Sequence, residues 1–340
     1  MNRSLCLFLC VMGLTVLVTT APAVDVQIVK AGSGKVSIDL SAMACSGGSN
    51  AQVFKQTLEN DLKLSGWFTV VGRGAGAVVV QGACEDRGST VDVTCSVANA
   101  ASQRFYFSGK RYSESSARRL AHKISDEIVA AVKQKKGIAS TRIAMVGGQS
   151  GAKHVYLCDA DGGDLIRLTS EGTICMSPKW WPDTGSLVYT SFHGGFPDVY
   201  RILLGAKRRE RIVNFPGLNT GAEVSPDGRK IVLTLSKDGN PDLYIKNLDS
   251  GQLMRLTRTR HATEASPAWS PDGQNIVFVS DKSGSPQLYI TRPGENTEKG
   301  VTFKGTENVS PDWGSDGRIV YSSRREGRYQ ICILDPRSGE

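Results

Sequence analysis

The strongest constraint on this chain is a short turn sequence that returns at a near-constant interval. Ser225-Pro226-Asp227-Gly228 recurs as Ser270-Pro271-Asp272-Gly273, and weaker copies stand at Trp181-Pro182-Asp183-Thr184 and Gly314-Ser315-Asp316-Gly317. The aspartates follow one another by 44, 45 and 44 residues. A second marker keeps the same beat: Val155-Tyr156, Val199-Tyr200, Leu243-Tyr244, Leu288-Tyr289 and Ile331-Cys332. One such unit is too small to bury its own apolar face, so successive units must cover one another. A period of about 40–45 residues made of short strands predicts a β-propeller with one four-stranded blade per repeat.

The fourth repeat shows the parts. Ala268-Trp269 is a short apolar piece before the turn. Residues 275–280 are rich in β-branched and aromatic side chains, as strands are. A polar turn and a third strand over 287–291 follow, and the third repeat adds a fourth strand over 253–257. Aspartate and glycine have local work in each turn, since aspartate accepts from the nearby backbone and glycine permits positive φ. Trp180, Trp269 and Trp313 precede the turns and read as packing between blades, each burial contributing roughly 2–3 kcal/mol.

Residues 1–23 have the form of a secretory leader. Arg3 gives the positive start, an apolar run follows, and Ala21-Pro22-Ala23 suits cleavage, so the exported chain begins near Val24. No later stretch reaches about 18 apolar residues, so no second segment is expected to span a membrane. Six cysteines remain after export: Cys45, Cys84, Cys95, Cys158, Cys175 and Cys332. None has the paired spacing of a zinc site. Cys84 and Cys95 flank a hairpin turn and are the expected disulfide in an oxidising compartment. The whole chain carries a net charge of +8. The basic run 207–211 is expected at a solvated hairpin tip, where it could also meet an acidic partner or an anionic surface.

Residues 24–140 follow a different pattern. Strands are expected over 24–30, 35–40, 67–71, 77–83, 91–98 and 104–112. A helix capped by Asn50 is expected over 51–64, with Val53, Phe54, Leu58 and Leu62 on one face. A second helix, capped by Ser115, is expected over 117–135, its apolar face running through Leu120, Ile124, Ile128 and Val132. The fold class is therefore an α+β N-terminal domain over 24–140 followed by an all-β propeller of WD40-like repeats over 141–340, with about five blades present.

This combination resembles the TolB family, periplasmic propellers of the Tol-Pal system. The resemblance rests on Ser125-Asp126-Glu127, Lys136-Gly137-Ile138-Ala139 and Thr141-Arg142-Ile143-Ala144 at the junction. It rests also on Leu235-Ser236-Lys237 with Asp242-Leu243-Tyr244, and on Ser280-Asp281 with Gly284-Ser285-Pro286-Gln287. It implies a non-enzymatic protein of the periplasm, without cofactor or metal and with no nucleic-acid partner. Such proteins bind the lipoprotein Pal through the propeller and TolA through an extended N-terminal segment, and support outer-membrane integrity and invagination at division. Here that segment begins Val24, Asp25, Val26, Gln27, Ile28. Its alternation suits addition to a partner's sheet edge, and equally an ordinary strand of its own domain. The propeller mouth is expected to use the loops at Leu218, Asn219 and Thr220, at Thr263 and Glu264, and at Glu307 and Asn308. The family has six blades. This chain is short around 72–76 and stops within its fifth blade, so it reads as a truncated product or fragment.

Two other classes compete with this reading. An exported prolyl-oligopeptidase-like hydrolase needs a Gly-x-Ser-x-Gly elbow, which Gly148-Gln149-Ser150-Gly151 does not supply. His193-Gly194-Gly195 reads as the turn of repeat two, and Gly32-Ser33-Gly34-Lys35 fails as a phosphate loop because Val36 follows. His122, His154, His193 and His261 lack metal-ligand spacing. The other class is a generic propeller scaffold or lectin, which binding to isolated glycans would distinguish from binding to Pal.

Overall fold

The computed structural model describes residues 34–148, 151–170, 172–206, 208–295 and 297–339. Residues 1–23, expected as a leader, and the segment Val24 to Ile28 lie outside the described residues. The chain divides into two compact units. Among the described residues, one comprises 34–121 with 128–135, and the other comprises 122–127 with those from 136 onward.

The first unit holds a mixed sheet, one whole helix and the part of a second helix outside 122–127. Strands β1 (Val36–Ser46), β2 (Phe68–Val71), β3 (Val78–Asp86), β4 (Val91–Asn99) and β5 (Phe105–Glu114) lie in the order β2-β1-β3-β4-β5. β1 pairs in parallel with both β2 and β3, and the remaining pairs are antiparallel. Helix α1 (Ser49–Leu64) buries Phe54, Leu58 and Leu62. Val53, expected on that face, is exposed instead. Asn50 is not the cap: Asp86, at the end of β3, accepts the Asn50 backbone N–H at 3.1 Å. A remote carboxylate thus does what a local side chain was expected to do. Helix α2 (Ala117–Lys133) is capped by Ser116, which accepts from the Arg119 N–H, and ends with Gln134 in the left-handed region. Leu120, Ile124 and Ile128 are fully buried.

The second unit is a five-bladed β-propeller. Its first sheet holds β6 (Arg142–Gly147), β7 (His154–Asp159) and β8 (Ile166–Arg167). The second holds β9 (Cys175–Trp180), β10 (Ser186–Ser191), β11 (Asp198–Leu203) and β12 (Arg208–Val213). The third holds β13 (Asn219–Val224), β14 (Lys230–Leu235), β15 (Asp242–Asn247) and β16 (Leu253–Arg255). The fourth holds β17 (Glu264–Trp269), β18 (Ile276–Ser280), β19 (Gln287–Thr291) and β20 (Glu298–Gly300). The fifth holds β21 (Glu307–Trp313), β22 (Ile319–Arg325) and β23 (Arg328–Leu334). All pairings within these sheets are antiparallel.

The cores of this unit lie between sheets, as the stacking argument demands. Val188, Val199 and Val213 of the second sheet pack on Ala222, Ile231, Leu233 and Tyr244 of the third. Val232 and Ile245 meet Trp269 and Ile276, and Val277 and Leu288 meet Ile319 and Tyr321. Trp180, Trp269 and Trp313 all belong to these inter-sheet clusters. The cassette aspartates hold their own turns. Asp227 accepts from Ser225 Oγ at 2.6 Å and from the Arg229 N–H at 3.0 Å, and Asp272 repeats this with Ser270 and Gln274. These bonds, the serine hydroxyl first, hold both carboxyls below the ordinary value.

Two further expectations need correction. Arg208 to Arg211 lie in β12 rather than at a hairpin tip. β12 ends its sheet, and charged side chains on such an edge discourage pairing with another chain. Second, no disulfide joins Cys84 to Cys95. The β3–β4 register sets Cys84 opposite Val93 and Cys95 opposite Gly82, so the two cysteines are diagonal neighbours. Such neighbours stand about 7–8 Å apart, beyond the usual span of a disulfide.

Candidate functional site

The four inner strands β9, β13, β17 and β21 share a local irregularity that builds the centre of the second unit. Each breaks register with its neighbour at one bulge. At that point stands a residue with positive φ: Ser177 at +53°, Gly221 at +62°, Ser266 at +49° and Ser310 at +52°. The left-handed region costs a non-glycine residue roughly 1–2 kcal/mol, so three serines held there mark an imposed geometry. Bulges re-aim the side chains that follow them. All four positions lie six residues before a cassette aspartate.

Two places further on stand Lys179, Glu223, Ala268 and Asp312, three of them charged. Lys179 Nζ stands 3.1 Å from Glu223 Oε2 and 2.9 Å from Asp312 Oδ2. Glu223 Oε1 also accepts the Trp269 backbone N–H at 3.0 Å. One lysine and one glutamate thereby tie four sheets together. Burial alone would lower the Lys179 ammonium, but the two carboxylates overcome it and raise the pKa. Burial, helped by the Asp312 charge, raises Glu223, and Lys179 opposes that shift. Beside them, Ser177, Gly221, Ser266, Pro267, Ser310 and Pro311 line a cavity of about 220 Å³. Chemically the arrangement offers paired charges beside a small cavity, suited to bracing. Sequence reasoning passed over Lys179, Glu223 and Asp312, although each stands four residues before a cassette aspartate.

The expected mouth residues divide by burial. Asn219, Glu264 and Asn308 are each fully buried. Asn219 Nδ2 donates to the carbonyls of Phe215 at 2.7 Å and Pro197 at 3.1 Å, while its Oδ1 accepts the Phe215 N–H at 2.9 Å. Asn308 Nδ2 donates to Gln287 Oε1 at 2.6 Å and to the Lys304 carbonyl at 2.8 Å. Glu264 accepts from Thr259 Oγ1 at 2.8 Å and Ser280 Oγ at 2.9 Å. Its carboxyl is raised to about 7, chiefly by burial, and nearby Asp242 adds to the rise. In this structure these three pin the loops that enter the inner strands. Thr263 is exposed, and Leu218, Thr220 and Glu307 are partly so.

Within the second unit, His122 Nε2 lies 3.1 Å from Asp159 Oδ2. With Asp161 these groups present three potential metal-ligand atoms within 4.8 Å of one another. A ring N–H donated to the carboxylate accounts for the His122–Asp159 contact. Among the described residues no helix is long and apolar enough to cross a membrane.

Comparison with known proteins fits this geometry. The family model described as the TolB beta propeller domain matches residues 129–340. The Tol-Pal system protein TolB of Anaeromyxobacter dehalogenans (strain 2CP-C) is 35% identical over 153 residues, which cover 45% of this chain and 35% of that protein. The protein of the same name from Anaeromyxobacter sp. (strain K) gives the same figures. The matched stretch thus spans about a third of the length of these curated relatives. The crystal structure of TolB from Acinetobacter baumannii superposes with a TM-score of 0.80 at 27% identity, covering 91% of this chain and 82% of that one. With more than half of its length matched by that family model, the chain belongs to the TolB β-propeller family.

Proposed function

We propose that this protein is a periplasmic component of a Tol-Pal system, working by surface recognition rather than bond chemistry. The observation that carries the reading is the TolB propeller match over 129–340. In this reading residues 1–23 are a cleaved leader, 24–140 form the N-terminal domain and 141–340 the propeller. The propeller binds Pal, and the segment beginning Val24, Asp25, Val26, Gln27 and Ile28 binds TolA by strand addition. Through both contacts the protein supports outer-membrane integrity and envelope invagination at division. Thr263, with Leu218, Thr220 and Glu307, is the accessible part of the proposed Pal-facing surface.

Calorimetric titration of the exported form with the soluble domains of Pal and TolA tests the proposal. Pal is expected to bind the whole chain, and deletion of residues 24–32 is expected to abolish TolA binding while leaving Pal binding intact. Absence of heat with either partner overturns the assignment.

A further inference from the structure

The β1–β3 pairing brings two cysteines side by side that the sequence separates by a helix and a strand. Cys45 and Cys84 are direct register partners in these parallel strands. Neighbouring strands lie about 4.8 Å apart, inside the 4.4–6.8 Å between Cα atoms that a disulfide usually spans. Register partners on parallel strands point to the same face, and the two thiols are within hydrogen-bonding reach of each other. The pair is asymmetric. Cys84 is buried, while Cys45 is partly exposed.

We propose that Cys45 and Cys84 are a dithiol redox couple, with Cys45 the attacking thiol and Cys84 the resolving thiol, closing to a disulfide that staples β1 to β3. The electrostatics suit these roles. The hydrogen bond with Cys84, assisted by Lys55 on α1, lowers the Cys45 thiol to about 7, so a large share is thiolate near neutrality. Sharing that bond from the other side, together with burial, raises Cys84, which keeps its proton until the second step. The oxidant is a small or protein disulfide. Cys45 thiolate attacks one of its sulfurs, a mixed disulfide forms at Cys45, and the other half leaves as a thiolate that takes up a proton. Cys84 then gives up its proton and attacks Cys45 Sγ, forming the Cys45–Cys84 bond and expelling the second half. Two thiols lose two electrons and two protons, and the oxidant gains them. That an exported chain meets such oxidants rests on the periplasmic reading, whereas closure itself is a property of the purified protein.

The test is thiol mapping of the full exported chain, reduced and then exposed to oxidised glutathione. Samples are acid-quenched, alkylated and digested without reduction. Cys45 and Cys84 are expected to become unreactive together and to appear in one linked peptide, lighter by two hydrogens than the sum of its parts. Cys45→Ser, at a partly exposed position, should leave Cys84 reduced, and Cys84→Ala should halt at a glutathione adduct on Cys45. Cys95→Ser should change nothing. A persistent glutathione adduct at Cys45 of the unaltered chain overturns the proposal, as does recovery of Cys84 linked to Cys95. Cys45 remaining reduced in the unaltered chain would do the same, so the unaltered chain decides the matter whether or not Cys84→Ala folds.

Discussion

Glu264 gives the sharpest check on the physics of the inner strands. It opens β17 with no exposed surface, and its carboxyl is raised from an ordinary value near 4.5 to about 7 by burial, with Asp242 adding to the shift. A folded-state pKa above the unfolded one means the native protein holds the proton more tightly. The associated stability is therefore fully present below about pH 4.5 and is lost as pH rises through about 7. At 1.36 kcal/mol per unit the whole effect is about 3 kcal/mol, and most of it falls between pH 5 and pH 8. For a unit of this size that is a thermal midpoint ~5–10 °C lower at pH 8 than at pH 5 from this group alone. Glu264→Gln removes the titration while keeping the shape. Ser280 can still donate to the amide oxygen, and Thr259 can accept from the amide nitrogen because its hydroxyl has the Ala262 carbonyl at 3.0 Å as an alternative acceptor. Thermal unfolding of both proteins from pH 4.5 to 8.5 reads the effect, since titrations of groups that do not interact with Glu264 cancel in the difference. The original chain should match the variant or exceed it at low pH and fall behind above pH 7. Parallel profiles would refute the reasoning and imply that water or an unrecognised cation reaches the carboxylate.

Three further outcomes follow from the same structure. Lys179→Met strands the largely buried Glu223 carboxylate and should cost about 2–3 kcal/mol in urea unfolding; adding Glu223→Gln should recover part of it, and strict additivity would show that the two do not act as a pair. Gly82→Ala should destabilise the first unit by about 4 kcal/mol or more, because at φ +153° the new Cβ would lie 1.8 Å from the Thr94 carbonyl oxygen; an unchanged urea midpoint would contradict the β3–β4 packing. Ser266→Val should lower stability by about 1–2 kcal/mol and Ser266→Gly should hold or raise it, since only the first burdens a left-handed residue at φ +49°; calorimetry that ranks them the other way would remove the case for an imposed bulge.

How much of this was legible depends on whether the forces involved are local. The Asp227 and Asp272 turns, the strands after them and the tryptophans between sheets are set by nearest-neighbour chemistry and by apolar runs, and both can be read along a line. Val53, the Asn50 cap and the Cys84–Cys95 pairing were misjudged because each depends on a partner supplied from elsewhere: the sheet, Asp86 and the strand register. Asn219, Glu264 and Asn308 are expected at the mouth because loops before inner strands surround a central channel. They are buried because the loop entering each inner strand carries backbone or hydroxyl groups that need partners.

The charged centre is the instructive case. A repeat that closes around an axis brings equivalent positions of different sheets close together, at 2.9–3.1 Å for the side chains of Lys179, Glu223 and Asp312. Like charges placed 4 Å apart cost about 4 kcal/mol at an effective dielectric of 20, so a faithful copy of any one charge in every repeat would drive the strands apart. The chain places Lys179, Glu223, Ala268 and Asp312 at that position, one cation, one neutral residue and two anions, while the turn four residues later is copied with far less variation. A radial repeat must therefore lose its regularity in charge where its units converge. The position at which these repeats disagree in sign is the one at which the structure brings them into contact.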